Sequence, residues 1–194
     1  MAVDSSAKPQ KAADKIKATA QELFYREGIR AVGVDEIVTR AGVTKPSLYR
    51  AYSSKDELAA DYLRDYDWRF WDRFEQAAHA HPGDPRAQLR AWMEGLAERA
   101  TVDGYRGCGL TNAAIEFPDR SHPARRVAQG NKAALRARLR EMARGMGAHD
   151  HDGLGDALLL LIEGVYASGQ MFGAGGPAKA LPKAAEALVE AYTR

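Results

Sequence analysis

Residues 41–52 read AGVTKPSLYRAY, with a proline inside an otherwise helical pattern. In a helix interior a proline costs about 3 kcal/mol or more. In the first turn it only removes an N–H that has no intrahelical partner. Thr44 is a natural N-cap, because its hydroxyl can accept a backbone N–H. Pro46 therefore marks a helix start. Lys45 is the other candidate cap, since a residue before proline prefers extended geometry. Leu48 and Tyr52 supply the inward side of this short helix. Lys45, Ser47, Tyr49 and Arg50 lie on the other, with side chains suited to phosphates and base edges.

Upstream, Val34, Ile37, Val38 and Ala41 give the buried face of a helix near Val34 to Ala41. Gly33 is an acceptable cap, and Asp35 and Glu36 favour the positive end of the helix dipole. Gly42 then breaks the chain. Helix, tight turn, helix is the helix-turn-helix layout. A two-turn helix is too short to stand alone and must lean on its neighbours. Ile16, Ala20, Leu23 and Phe24 predict one apolar stripe on a helix from about Pro9 to Glu27, ended by Gly28. Residues 1–8 read as a mobile tail. The alternative use of that end is a minor-groove arm carrying Lys8 and Lys11.

Downstream, a long helix is expected from Lys55 towards Ala80, capped by Ser53 or Ser54, and then a loop, HAHPGDP, at 79–85. Helical patterns follow at 85–102, 108–117, 122–146 and 153–172, a break at 173–182, and a last helix at 182–193. Convincing period-2 strand stretches are absent. The expected fold is all-α, with about nine helices. A three-helix helix-turn-helix domain covers 1–53, and about six further helices cover 54–194.

The chain has 194 residues, 45% hydrophobic and 28% charged, enough for a sizeable core. Its net charge of +2 excludes little, but residues 1–56 hold ten Lys and Arg against seven Asp and Glu, so the positive excess sits at the front. A single cysteine, Cys108, allows no intrachain disulfide and fits a reducing cytoplasm. MAVDSSAKPQ lacks the apolar core of a signal peptide. The longest apolar run, ALLLLI at 157–162, stops at Glu163, where a membrane span needs roughly 20 such residues. A cytoplasmic protein without a membrane partner is expected.

GIRAVGVDEIVTRAGVTKPSLYRAYSSKDEL, residues 28–58, resembles the tetracycline-repressor (TetR) family of bacterial transcriptional regulators. The pattern there is a glycine, an apolar-acidic-acidic-Ile helix, A-G-V-[ST]-K, a small residue, L-Y, an aromatic, and S-K-[DE]-x-L. Gly33 departs from it where a Ser or Thr hydroxyl is common, and Ala51 where His or Tyr is common. Both departures remove possible phosphate contacts. GCGLTNAAIEFPD, residues 107–119, looks like the start of the sixth helix in one branch of the family. The resemblance implies a homodimer that places a recognition helix of each subunit in a major groove of a double-stranded DNA operator. It also implies that 54–194 is a helical ligand-binding and dimerisation domain, holding a small-molecule effector that reorients the two reading heads and releases the operator.

The DNA-contact set is Thr44, Lys45, Ser47, Tyr49 and Lys55, with Arg40 and Arg50 as additions. For the effector, Trp68 and Trp71 share one side of the fourth helix, and Phe70 and Phe74 another. One stripe packs the core while the other lines a cavity. Trp92, Met93 and Tyr166 join the candidates, with Asn112 and Glu116 as polar groups on one helix face. Cys108 sits between two glycines near a helix start. It reads as a buried small residue or, if its pKa is lowered, as a sensor thiol. His149, Asp150, His151 and Asp152 are adjacent in a loop and read as a solvated turn, because adjacent residues rarely converge on one metal.

Leu154, Leu158, Leu161, Ile162, Val165 and Tyr166 form one broad apolar stripe, beside the small residues Gly164, Ala167, Ser168 and Gly169. Leu181, Ala185, Leu188 and Tyr192 form a second. Two such helix pairs about a two-fold axis would make a four-helix dimer interface. No nucleophile elbow, phosphate loop or metal spacing supports an enzyme, and no cofactor is implied. The alternative function, kept open by Gly33 and Ala51, is a small-molecule-binding helical protein with weakened or lost DNA binding.

Overall fold

The computed structural model describes residues 11–194. The expectations for residues 1–8, including Lys8, lie outside the described residues. Nine α-helices and no strand occur among the described residues. The first three are α1 (Ala12–Glu27), α2 (Val34–Ala41) and α3 (Lys45–Ala51). They are followed by α4 (Lys55–His79), α5 (Pro85–Arg99) and α6 (Gly109–Glu116), then α7 (Pro123–Gly145), α8 (His151–Phe172) and α9 (Leu181–Thr193). Two short 3-10 turns, Gly173–Gly175 and Pro177–Ala180, join α8 to α9.

Local cap chemistry sets most helix starts. Ser54 accepts the Glu57 N–H at 3.1 Å, and Glu57 reaches back to accept the Ser53 N–H at 2.6 Å. Asp84 caps α5 just ahead of Pro85, and Asp150 caps α8 by accepting the Gly153 N–H at 2.9 Å. His149 stacks on Tyr192 at 5.6 Å, and the His151 ring lies 2.9 Å from Asp152. The His-Asp run is thus tied into helix ends.

The α1 stripe of Ile16, Ala20, Leu23 and Phe24 is buried as the periodicity predicts. It meets Ile37 of α2, Leu48 of α3, and Leu58, Tyr62 and Leu63 of α4 in one core. At about 1.5 Å per residue, α4 spans some 37 Å and runs from this cluster into the larger bundle, where Phe70 and Phe74 meet Trp92. Lys17 pairs with both Asp61 and Asp65, at 3.1 and 2.9 Å, and fastens α1 to α4.

The structure corrects part of the expected dimer surface. Leu154, Leu158, Ile162, Val165 and Leu181 are buried within the single chain, where α8 packs on α7 and α9. Gly169 lies tight against Ala100 and Tyr105 of the same chain. Leu161, Leu188 and Tyr192 are half-buried. The outward face of α8 instead carries Leu160, Gly164, Ala167 and Met171, spaced i, i+4, i+7, i+11, with Leu160 73% and Met171 68% exposed. By length and composition α8 could cross a membrane, but Glu163 sits within it, paired with Lys132 of α7 at 2.8 Å.

Candidate nucleic-acid interface and ligand cavity

Thr44 is the cap of α3, with extended backbone (φ −103°, ψ 154°), and Lys45 is the first helical residue. The Thr44 hydroxyl accepts the Ser47 N–H at 3.4 Å and lies 3.0 Å from the Ser47 hydroxyl. Gly42 turns the chain with φ +63°, a left-handed conformation that favours glycine, and Val43 N–H then bonds to Val38 O at 3.0 Å. Leu48 is fully buried and docks the two-turn helix. Thr44, Lys45, Tyr49 and Arg50 are exposed, and Ser47 is half-buried.

The cations of this region are not equally free. Lys45 pairs with Asp35 of α2 at 2.7 Å, and that hydrogen bond holds its ammonium above the ordinary value. Arg40 pairs with Glu36 at 2.8 Å and with Glu27 at 3.5 Å. Lys55 is half-buried beside Arg30 O at 3.5 Å, and burial lowers its pKa. Among the described residues, Arg50 has no ion-pair partner within 4.0 Å. A phosphate approaching α3 meets a free guanidinium and an ammonium already shared with a carboxylate.

A cavity of about 740 Å³ lies where α1, α4, α5, the 103–108 segment and α8 meet. Phe70, Trp92, Cys108 and Tyr166 of the expected ligand set line it. Trp71, Phe74 and Met93 do not: Phe74 and Met93 are core side chains, and Trp71 packs edge-on against both Phe70 and Phe74. Asn112 and Glu116 face elsewhere too. Asn112 donates to Arg106 O at 2.6 Å, while Glu116 accepts the Arg30 N–H at 2.8 Å. Glu116 therefore fastens the end of α6 to the α1–α2 turn.

Sequence reasoning missed most of the polar lining: Gln21 and Tyr25 from α1, Tyr62, Tyr66 and Arg73 from α4, Arg99 from α5, and Tyr105. Burial pushes the phenols of Tyr62, Tyr105 and Tyr166 above their ordinary range, so they stay neutral donors. Gly107 crosses beneath these rings with φ +73°. Its carbonyl accepts the Tyr25 and Tyr66 hydroxyls at 3.3 and 3.4 Å, and a Cβ there would fall 2.9 Å from Tyr166 O. Cys108 is buried, 3.6 Å from Lys132 Nζ. The motif GCG thus serves close approach.

A docked helix-turn-helix head joined to a helical body is the build of a DNA-binding transcriptional regulator. The family model for bacterial regulatory proteins of the tetR family matches residues 16–62. The fold matches sav143, a TetR-type transcriptional regulator from Streptomyces avermitilis, with TM-score 0.83 and 31% identity over 94% of this chain and 98% of that one. It also matches SCO4454, a TetR-family transcriptional regulator from Streptomyces coelicolor, with TM-score 0.87 and 28% identity over 95% and 97% of the two chains. The transcriptional activator FasR of Mycolicibacterium smegmatis is 39% identical over 89 residues, which is 45% of this chain and 40% of that relative's length. The chain belongs to the TetR family of transcriptional regulators, whose members are DNA-binding proteins and not enzymes.

Proposed function

We propose that the protein is a cytoplasmic, homodimeric repressor that holds a palindromic operator through α3 and lets it go when a small molecule fills the cavity beside α1. The observation that carries this reading is α3 itself. Leu48 anchors a two-turn helix, while Thr44, Lys45, Tyr49 and Arg50 stand exposed on it. Such a helix can enter a major groove with its polar side on phosphates and base edges. Residues 1–53 act as the reading head and 54–194 as the sensing and pairing body.

Coupling needs a ligand that binds one arrangement of the head better than another, typically worth about 1–3 kcal/mol. Two features support a route for it. The cavity wall includes Gln21 and Tyr25 of α1, and Glu116 is bonded to the turn that follows α1. A dimer holds two heads at a set separation, which favours a palindrome. The exposed stripe of Leu160, Gly164, Ala167 and Met171 supports pairing through α8.

Gel retardation with the DNA upstream of the protein's own gene tests the reading. A discrete complex that resists nonspecific competitor and weakens steeply with salt is expected, and a complex indifferent to both would overturn it. The similarity to a named activator favours one second reading, activation from the same operator. A reporter in a deletion strain separates the two: expression rises if the protein represses and falls if it activates.

A further inference from the structure

Four arginines line the cavity, and they differ in how their charge is met. Arg26 pairs with Glu22 at 3.2 Å, and Arg69 lies 3.9 Å from Asp65. Arg73 and Arg99 have no carboxylate within 4.0 Å among the described residues, although Glu22 and Asp103 also line the cavity. Arg99 is half-buried, and its pKa is lowered first by burial and next by the charge of Arg73. Two neighbouring guanidiniums drawn partly out of water without a counter-charge are costly, and an anion placed between them recovers that cost. Around them stand Phe70, Trp92 and Tyr105, and the Tyr62 hydroxyl is buried with no hydrogen-bond partner.

We propose that the cavity takes a flat, largely apolar organic acid, its carboxylate gripped by Arg73 and Arg99 and its body lying among the aromatic rings. The inference rests on the reading of this cavity as the effector site. A planar guanidinium matches a carboxylate through two parallel N–H bonds, a fit that an amide or ester of the same shape cannot reproduce. About 740 Å³ is room for a drug-sized molecule, so one or two fused rings with an acidic arm fit inside.

The test titrates the purified full-length protein with matched pairs, 2-naphthoate against 2-naphthamide and benzoate against benzamide, and follows tryptophan fluorescence and the melting temperature. At least one acid should bind tenfold or more tighter than its amide. Arg73→Gln and Arg99→Gln should each erase that preference while leaving the weak amide binding in place. Arg99→Lys, which keeps charge but not the planar fork, should retain part of the preference and guards against a glutamine variant that fails to fold. Exposed Arg144→Gln should change nothing. Equal binding of acid and amide in every pair, or a preference that survives loss of both arginines, would overturn the proposal. The same acids are then added to the protein–DNA complex. A selective acid that leaves the complex intact contradicts the effector reading and not the chemistry of the cavity. No selectivity with DNA binding intact contradicts the chemistry alone.

Discussion

At Thr44 one hydroxyl closes the first turn of α3 and meets the side chain of Ser47, so the side-chain cap of α3 is a single oxygen. Thr44→Ala should lower stability by about 1 kcal/mol, the usual worth of such a cap, seen as a shift in urea midpoint at unchanged slope. This cap was legible in the sequence because its chemistry is local: Thr, then proline two residues on, then an apolar anchor. Arg73 and Arg99 were not legible. On a helix, an arginine facing solvent and one facing a cavity look alike until the neighbours are placed. The same limit explains Asn112 and Glu116, whose shared face follows from their i, i+4 spacing but whose partners, Arg106 O and the Arg30 N–H, lie in other elements.

Among the elements, α4 does the most to join head and body, and its hold on α1 is partly polar. Burial would raise the Asp61 carboxyl, but hydrogen bonds from Lys17 and Tyr52 outweigh it and leave the pKa below 3.8. A carboxyl depressed in the folded state adds stability above its unfolded pKa and loses it as pH falls through the folded one. Stability should therefore drop as pH moves down through and below 3.8, and Asp61→Asn should flatten that drop. Thermal melts between about pH 3 and pH 6 check both. The start of α4 could be read from sequence because Ser54 is a cap with a strong local signature, whereas α8 begins at His151, inside the run that reads as a solvated turn, because Asp150 caps it. The division of the aromatic residues could not. Periodicity showed that Phe70 and Phe74 share a side, yet only packing decides that the cavity takes the first and the core takes the second.

For the whole molecule, the sequence showed α8 and α9 as apolar but not which side another helix of the same chain would cover. Leu154, Leu158, Ile162 and Val165 went to the chain's own core, and the outward stripe begins with Leu160. If the proposed pairing runs through this stripe, Leu160→Glu should convert dimer to monomer in analytical ultracentrifugation with helicity kept, and should weaken operator binding because the two heads no longer act together. The proposed operator recognition rests above all on α3 presenting its polar side to DNA. The most direct measurement is fluorescence anisotropy of an operator duplex, titrated at several salt concentrations with the native chain and with the combined variant Lys45→Ala, Tyr49→Ala, Arg50→Ala. The prediction is a folded variant that binds at least tenfold more weakly, with a log–log salt slope reduced by about 0.9 for each phosphate it no longer neutralises. An equally folded variant with native affinity and native slope would contradict the assignment of α3 as the reading head.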